Sequence, residues 1–195
     1  MVDSSQHIVS TFPHFHRYNM LRISVIGQYP DMFTAGAMRN PVISAGEMTS
    51  TDIPDWNYAE FGLPYPLFSS PSYTETPPST PRQAPPTITS ETFVKIQQAI
   101  PLVYAHKVRA AVLLLIGSDD LRVAPRQGME YYHALKGRRN SALGVGGPGT
   151  TEQGEVELLV FEGESHPLEG VEAERVVWEA VREFLARARK VAEKA

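Results

Sequence analysis

Ala110-Ala111-Val112-Leu113-Leu114-Leu115-Ile116-Gly117-Ser118-Asp119-Asp120-Leu121-Arg122-Val123 is the stretch on which the fold of this chain turns. Its first part is a short, unbroken apolar run closed by glycine, which suits a strand buried on both faces of a parallel sheet. Its second part is a polar loop at the carboxyl end of that strand, where open parallel sheets collect their functional groups. A helix is expected next, from Pro125 to Leu135, with Met129, Tyr132 and Leu135 spaced to face the sheet.

Further along, Val156-Glu157-Leu158-Leu159-Val160-Phe161 reads as a second strand. A long helix is expected over about Val171 to Val191. Val177, Val181, Phe184 and Ala188 form its apolar stripe, flanked by Val176, Ala180 and Leu185, while Glu179, Arg182, Glu183, Arg189 and Lys190 lie opposite. Upstream, Phe33 to Met38 reads as an earlier strand. Strand, helix, strand, helix in succession implies crossover connections and an α/β fold with a mostly parallel sheet.

Two stretches break this pattern. Eight of the 16 prolines fall between Pro64 and Pro86, among serines and threonines. Proline removes backbone donors and fixes φ, so the segment 64–90 reads as a surface loop. The second, 137–154, holds six of the 14 glycines. Its Gly144-Val145-Gly146-Gly147-Pro148-Gly149 lacks the Gly-Lys-Ser/Thr ending of a phosphate-binding loop, and the surface-loop reading is preferred.

Composition narrows the function. The chain of 195 residues suffices for one domain with a sizeable core. With 18 Lys+Arg against 22 Asp+Glu the net charge is −4, and no basic stripe runs along it, so no nucleic-acid partner is expected. The chain has no cysteine, which excludes disulfides, thiolate metal sites and a cysteine nucleophile. Between Tyr18 and Gly27 the apolar residues are interrupted by Asn19 and Arg22, so neither a signal peptide nor a membrane partner is expected and a cytoplasmic location is. His14 and His16 lack a third ligand, and neither metal nor cofactor is expected. Trp56 and Trp178 are read as core or interface residues.

Two residues are candidates for chemistry. Asp120 follows the Val112–Ile116 strand and His166 follows the Val156–Phe161 strand. Taken singly, Asp120 also fits a solvated residue ahead of a helix, and His166 a surface loop histidine. Taken together, an acid after one strand and a histidine after the next reproduce the chain order of the α/β-hydrolase triad, whose serine comes earlier.

Several motifs then make the comparison specific. Ile26-Gly27-Gln28-Tyr29-Pro30-Asp31-Met32-Phe33, Arg39-Asn40-Pro41-Val42-Ile43 and Ser50-Thr51-Asp52-Ile53-Pro54-Asp55-Trp56 resemble the acylaminoacyl-peptidase branch of the prolyl oligopeptidase family. So do Val103-Tyr104-Ala105-His106-Lys107-Val108, Leu113 to Val123, and Gln127-Gly128-Met129-Glu130-Tyr131-Tyr132. The resemblance covers about Ile26 to Leu63 and Pro101 to Leu185. It implies the C-terminal part of an α/β-hydrolase domain over 26–195, with the first half of the sheet missing. It further implies a serine peptidase that releases N-acylated amino acids from peptides, with Asp120 as the triad acid and His166 as the triad base.

The resemblance also implies a glycine-flanked serine shortly before the Gly27-Gln28-Tyr29-Pro30 segment. That place reads Phe12-Pro13-His14-Phe15-His16-Arg17-Tyr18-Asn19-Met20, and no Gly-x-Ser-x-Gly occurs anywhere. Ser24, the nearest serine, is flanked by the β-branched Ile23 and Val25, which suit a strained elbow poorly. The oxyanion donors of the family, the N–H after the nucleophile and one from an earlier loop, are missing with it. Segment 1–25 is accordingly atypical, and the chain as written is expected not to hydrolyse by the triad route. The other expectation is a non-catalytic binding protein or truncated gene product that associates with full-length relatives or with itself as a homo-oligomer, through an unpaired strand edge.

Overall fold

The structure is a computed structural model, and it describes residues 7–10, 25–44, 89–137 and 154–193. The two proline- and glycine-rich stretches, 64–88 and 138–153, lie outside the described residues, as do His14, His16, Ser24 and Trp56.

Four parallel strands form one sheet in sequential order: β1 (His7–Ser10), β2 (Phe33–Arg39), β3 (Ala111–Gly117) and β4 (Val156–Phe161). Among the described residues three long helices accompany them, α1 (Ser90–Ala99), α2 (Pro125–Gly137) and α3 (Val171–Ala192), and residues 25–28 are helical ahead of β2. A 3-10 helix, Pro101–Lys107, links α1 to β3. Strands β2, β3 and β4 and helices α2 and α3 coincide with the sequence expectation to within two residues. Strand β1 does not: it arises inside the segment read as atypical. Its His7 to Ser10 pair alongside Phe33 to Ala37, with a register irregularity after His7.

The central strand explains the layering. Every residue of β3 is buried, and its side chains alternate between two clusters. Val112, Leu114 and Ile116 point to one face, with Ile26, Met38, Ile43, Tyr131 and Leu135. Ala111, Leu113 and Leu115 point to the other, where Ala35, Ala37, Leu168, Val177 and Phe184 meet them. Alanines at 35, 37 and 111 leave the depth that the Phe184 ring fills. Each fully buried Leu, Ile or Phe contributes roughly 1.5–3 kcal/mol of transfer free energy, so β3 anchors both layers.

Two details of the helices depart from expectation. The buried stripe of α2 runs through Gln127, Gly128, Tyr131 and Leu135, and Met129 and Tyr132 are only half-buried. The cause is Gly128: a Cβ there would collide with the Ile116 side chain, so the helix seats its glycine on β3 and rotates. Gln127 joins the buried face because its Oε1 accepts the Ile43 and Ser44 N–H groups, each at 2.9 Å. On α3 the apolar stripe is as expected, but Trp178 is 57% exposed and not part of the core. Orienting Val177 and Phe184 inward turns position 178 outward. Among the described residues no helix is long and apolar enough to cross a membrane.

Candidate active site

At the carboxyl ends of β2, β3 and β4 three loops converge. Beyond β3 the chain turns sharply at Gly117. A Cβ at that position would lie 2.5 Å from the Glu164 carbonyl oxygen and 2.7 Å from that of Ser165, so only glycine lets the loop after β4 approach this closely. The two loops are then sewn together by backbone bonds: Ser118 N–H to Phe161 C=O at 3.0 Å, and Asp119 N–H to Glu164 C=O at 3.0 Å. The Ser118 hydroxyl accepts the Gly163 N–H at 2.8 Å and donates to Asp119 Oδ1 at 2.8 Å.

Asp120 is carried inward by this turn and is 3% exposed. Its Oδ1 accepts the N–H groups of Arg122 at 2.8 Å and Val123 at 2.9 Å, an arrangement that ends the loop and leads into α2. These two donors fix the carboxylate plane and leave Oδ2 directed at the loop after β4. There His166 Nδ1 lies 2.8 Å away. The carboxylate is fully buried and the imidazole 12% exposed. The structure thus brings the two candidate residues, 46 positions apart, into one hydrogen bond.

His166 does not sit in a plain extended segment, although a following proline favours one. It occupies a turn, 165–168, closed by the Leu168 N–H to Ser165 C=O bond at 3.2 Å. Leu168 has φ of 53°, and the preceding Gly163 has φ of 72°. The segment then feeds α3, and the N–H of Gly170, the residue just before it, is held by Glu164 Oε2 at 3.1 Å, a carboxylate at the positive end of the helix.

Two residues at the end of β2 also reach this corner, and sequence reasoning passed over both. Asn40, 2% exposed, accepts the Gly117 N–H at 2.8 Å through Oδ1 and donates to the His166 carbonyl at 2.7 Å through Nδ2. Arg39 donates from Nη2 to the carbonyls of Pro167 and, at 3.0 Å, Leu168. Burial lowers the Arg39 pKa from its ordinary value, and the nearby carboxylates of Glu174 and Glu169 work against that. The sequence signals for Asn40 were its place in the Arg39-Asn40-Pro41-Val42-Ile43 motif and its type, since asparagine tolerates a positive φ, here 40°, better than other side chains.

The arrangement can orient an imidazole and fix which of its ring nitrogens faces the carboxylate. Among the described residues no group of three or more His, Asp or Glu side chains is placed to hold a metal ion. The segment in which the family places its nucleophile lies outside the described residues.

Comparison with known proteins adds three findings. The sequence profile of the prolyl oligopeptidase family matches residues 19–192. The chain is 36% identical over 155 residues to the acylamino-acid-releasing enzyme of Rattus norvegicus, covering 79% of this chain and 17% of that protein. The Arabidopsis thaliana acylamino-acid-releasing enzyme is 35% identical over 151 residues, with 76% of this chain and 16% of that protein covered. The chain therefore spans less than a fifth of the length of these relatives. Among solved structures, the uncomplexed Pyrococcus horikoshii acylaminoacyl peptidase superposes with a TM-score of 0.63 at 20% identity, covering 95% of this chain and 24% of that one. An acylaminoacyl peptidase in complex with Z-Gly-Gly-Phe-chloromethyl ketone superposes with a TM-score of 0.60 at 20% identity, covering 94% and 24%. These likenesses assign the α/β-hydrolase fold.

Proposed function

The chain belongs to the prolyl oligopeptidase family, and from that premise we propose that it carries the acid and the base of a serine peptidase that releases N-acylated amino acids from peptides. The observation that carries the reading is the buried 2.8 Å bond from His166 Nδ1 to Asp120 Oδ2. With Nδ1–H donated to the carboxylate, Nε2 becomes the ring nitrogen that accepts a proton. In the triad mechanism it takes the proton of the attacking serine and returns it to the leaving amine, while the acid holds the tautomer and steadies the imidazolium. Asp120 has the attributes this role requires: it is buried, its Oδ1 is fixed by two backbone donors, and its Oδ2 faces His166 Nδ1.

The nucleophile is the part this sequence does not supply, since it contains no Gly-x-Ser-x-Gly. The proposal therefore assigns no hydrolysis to these 195 residues acting alone. It treats them as a piece of an active cytoplasmic peptidase whose substrate is an acylated peptide. No nucleic acid or cofactor enters the reading.

Fluorophosphonate labelling tests it, because the probe forms a bond only with an activated serine. The purified chain is expected to stay unlabelled. Peptides unique to this chain, among them the one containing His166, are expected in a labelled band of native lysate far heavier than 21.6 kDa. Label on the purified chain would contradict the missing nucleophile. Absence of these peptides from every labelled band would overturn the peptidase reading.

A further inference from the structure

The bond between Asp120 and His166 fixes a ring, but a ring is only as well placed as the backbone that bears it. The His166 backbone belongs to a loop on β4, whereas Asp120 belongs to a loop on β3. Backbone bonds from Ser118 and Asp119 tie the two loops together further back, but the bond to the His166 carbonyl itself comes from the end of a third strand. Asn40 Oδ1 accepts the N–H of Gly117, three residues before the acid, and Asn40 Nδ2 donates to the carbonyl of His166 itself. A weaker contact of the same Nδ2, 3.4 Å, reaches the Ser165 carbonyl. Arg39, one residue earlier, takes the next two carbonyls in the turn, those of Pro167 and Leu168. Successive carbonyls of the turn 165–168 are thus gathered by the last two side chains of β2 and its exit.

Asn40 is specialised for this. Its backbone N–H prolongs the ladder to β3 by bonding to the Leu115 carbonyl at 2.9 Å, and its φ of 40° then turns the chain out of the sheet. Its side chain is inside the protein, at 2% exposure, with an acceptor on one loop and a donor on the other. No smaller or apolar residue can bridge the two loops in this way. An aspartate would retain the acceptor and lose the donor; a leucine would leave a buried N–H and a buried carbonyl unpaired.

We infer that Asn40 is the positioning residue of His166, holding the imidazole in register with Asp120, with Arg39 bracing the same turn. The inference rests on the acid–base reading above and goes beyond it, because it assigns the alignment of the pair to a residue that touches neither side chain. It makes the β2 exit part of the site's machinery, acting on His166 through the peptide backbone.

The test uses the full chain labelled with 15N-histidine, following the His166 Nδ1 proton by NMR, with its signal assigned by its loss in His166→Gln. Asn40→Gly accepts the same backbone angle and removes both side-chain bonds. It is expected to unfold below the wild-type temperature, because the Gly117 N–H and the His166 carbonyl lose their partner, and its Nδ1 proton exchanges with water about tenfold faster, the effect of losing one buried hydrogen bond. Asn40→Asp keeps the bond to Gly117 and removes the donor to His166; the same acceleration is expected, and this variant carries the test should Asn40→Gly fail to fold. Val177→Ala, on α3 and without a hydrogen bond to the loop, serves as a destabilised control in which the Nδ1 exchange is expected to rise less than in the Asn40 variants. Wild-type exchange in both Asn40 variants, or acceleration in Val177→Ala equal to theirs, would overturn the positioning role while leaving the acid–base reading intact. A wild-type chain with no Nδ1 proton bonded to Asp120 would overturn that reading and this inference together.

Discussion

A buried carboxylate–imidazole pair and an exposed carboxylate–guanidinium trio have contacts of nearly equal length in this molecule, and their surroundings differ. His166 Nδ1 lies 2.8 Å from Asp120 Oδ2, with side-chain exposures of 12% and 0%. On the outer face of α3, Arg175 lies 2.6 Å from Glu172 and 2.7 Å from Glu179, with every partner at least half exposed. The surface trio shares its charges with water and salt, so it contributes little to stability despite good geometry. The inner pair cannot do so; among the described residues its carboxylate is held by the Arg122 and Val123 N–H groups and by His166. Separation in ångströms does not distinguish a working contact from an ornamental one here. Burial and the count of fixed donors do.

The comparison breaks if the two sites respond alike to substitution, and the responses are ordered. The largest belongs to the inner side of the helix whose outer side bears the surface trio. Phe184→Ala, 1% exposed in the wild type, is expected to destabilise the chain by about 4 kcal/mol in urea unfolding at neutral pH. Next comes Asp120→Ala, at about 3 kcal/mol, because it strands buried donors that had one acceptor. A stability equal to wild type would reduce the inner pair to the standing of the outer one. Gly117→Ala follows at about 2 kcal/mol, since its Cβ meets two carbonyl oxygens of the adjoining loop and that loop must shift. Crystallography or NMR of this variant should show His166 displaced from Asp120.

The smallest effect is expected outside. The hydrogen bond from Arg175, and then its charge, lowers the Glu172 pKa from its ordinary value; in turn the bonds to Glu172 and Glu179 raise the Arg175 pKa. A lowered carboxylate pKa stabilises the fold at pH above the ordinary glutamate range, and this is lost as the pH falls through the lowered value. Arg175→Ala should therefore return the Glu172 titration, followed by NMR, to the ordinary range and leave the unfolding temperature at neutral pH unchanged. A marked fall in that temperature would show that exposed pairs carry weight here.

The same contrast explains what could be read in advance. Strand β3 and helix α3 announce themselves because burial selects apolar residues at fixed spacing, and Asp120 and His166 stand out as polar residues just beyond such strands. Strand β1 is four residues long, too short for a period to show. The α2 stripe was misread because two of its members, Gln127 and Gly128, are buried for reasons other than hydrophobicity: one caps two N–H groups, the other makes room for Ile116. Asn40 and Arg39 escaped for the same reason. They stand in the Arg39-Asn40-Pro41-Val42-Ile43 motif, but their partners are backbone groups more than 70 residues away, so no local pattern tells their role.

The measurement that bears most directly on the central claim is the tautomer of His166, read from the imidazole 15N shifts of the intact chain near neutral pH. The account predicts a proton on Nδ1, bonded to Asp120, and its transfer to Nε2 in Asp120→Asn, where the new amide can donate to Nδ1. A wild-type ring protonated on Nε2 alone, or a tautomer indifferent to Asp120→Asn, would contradict it.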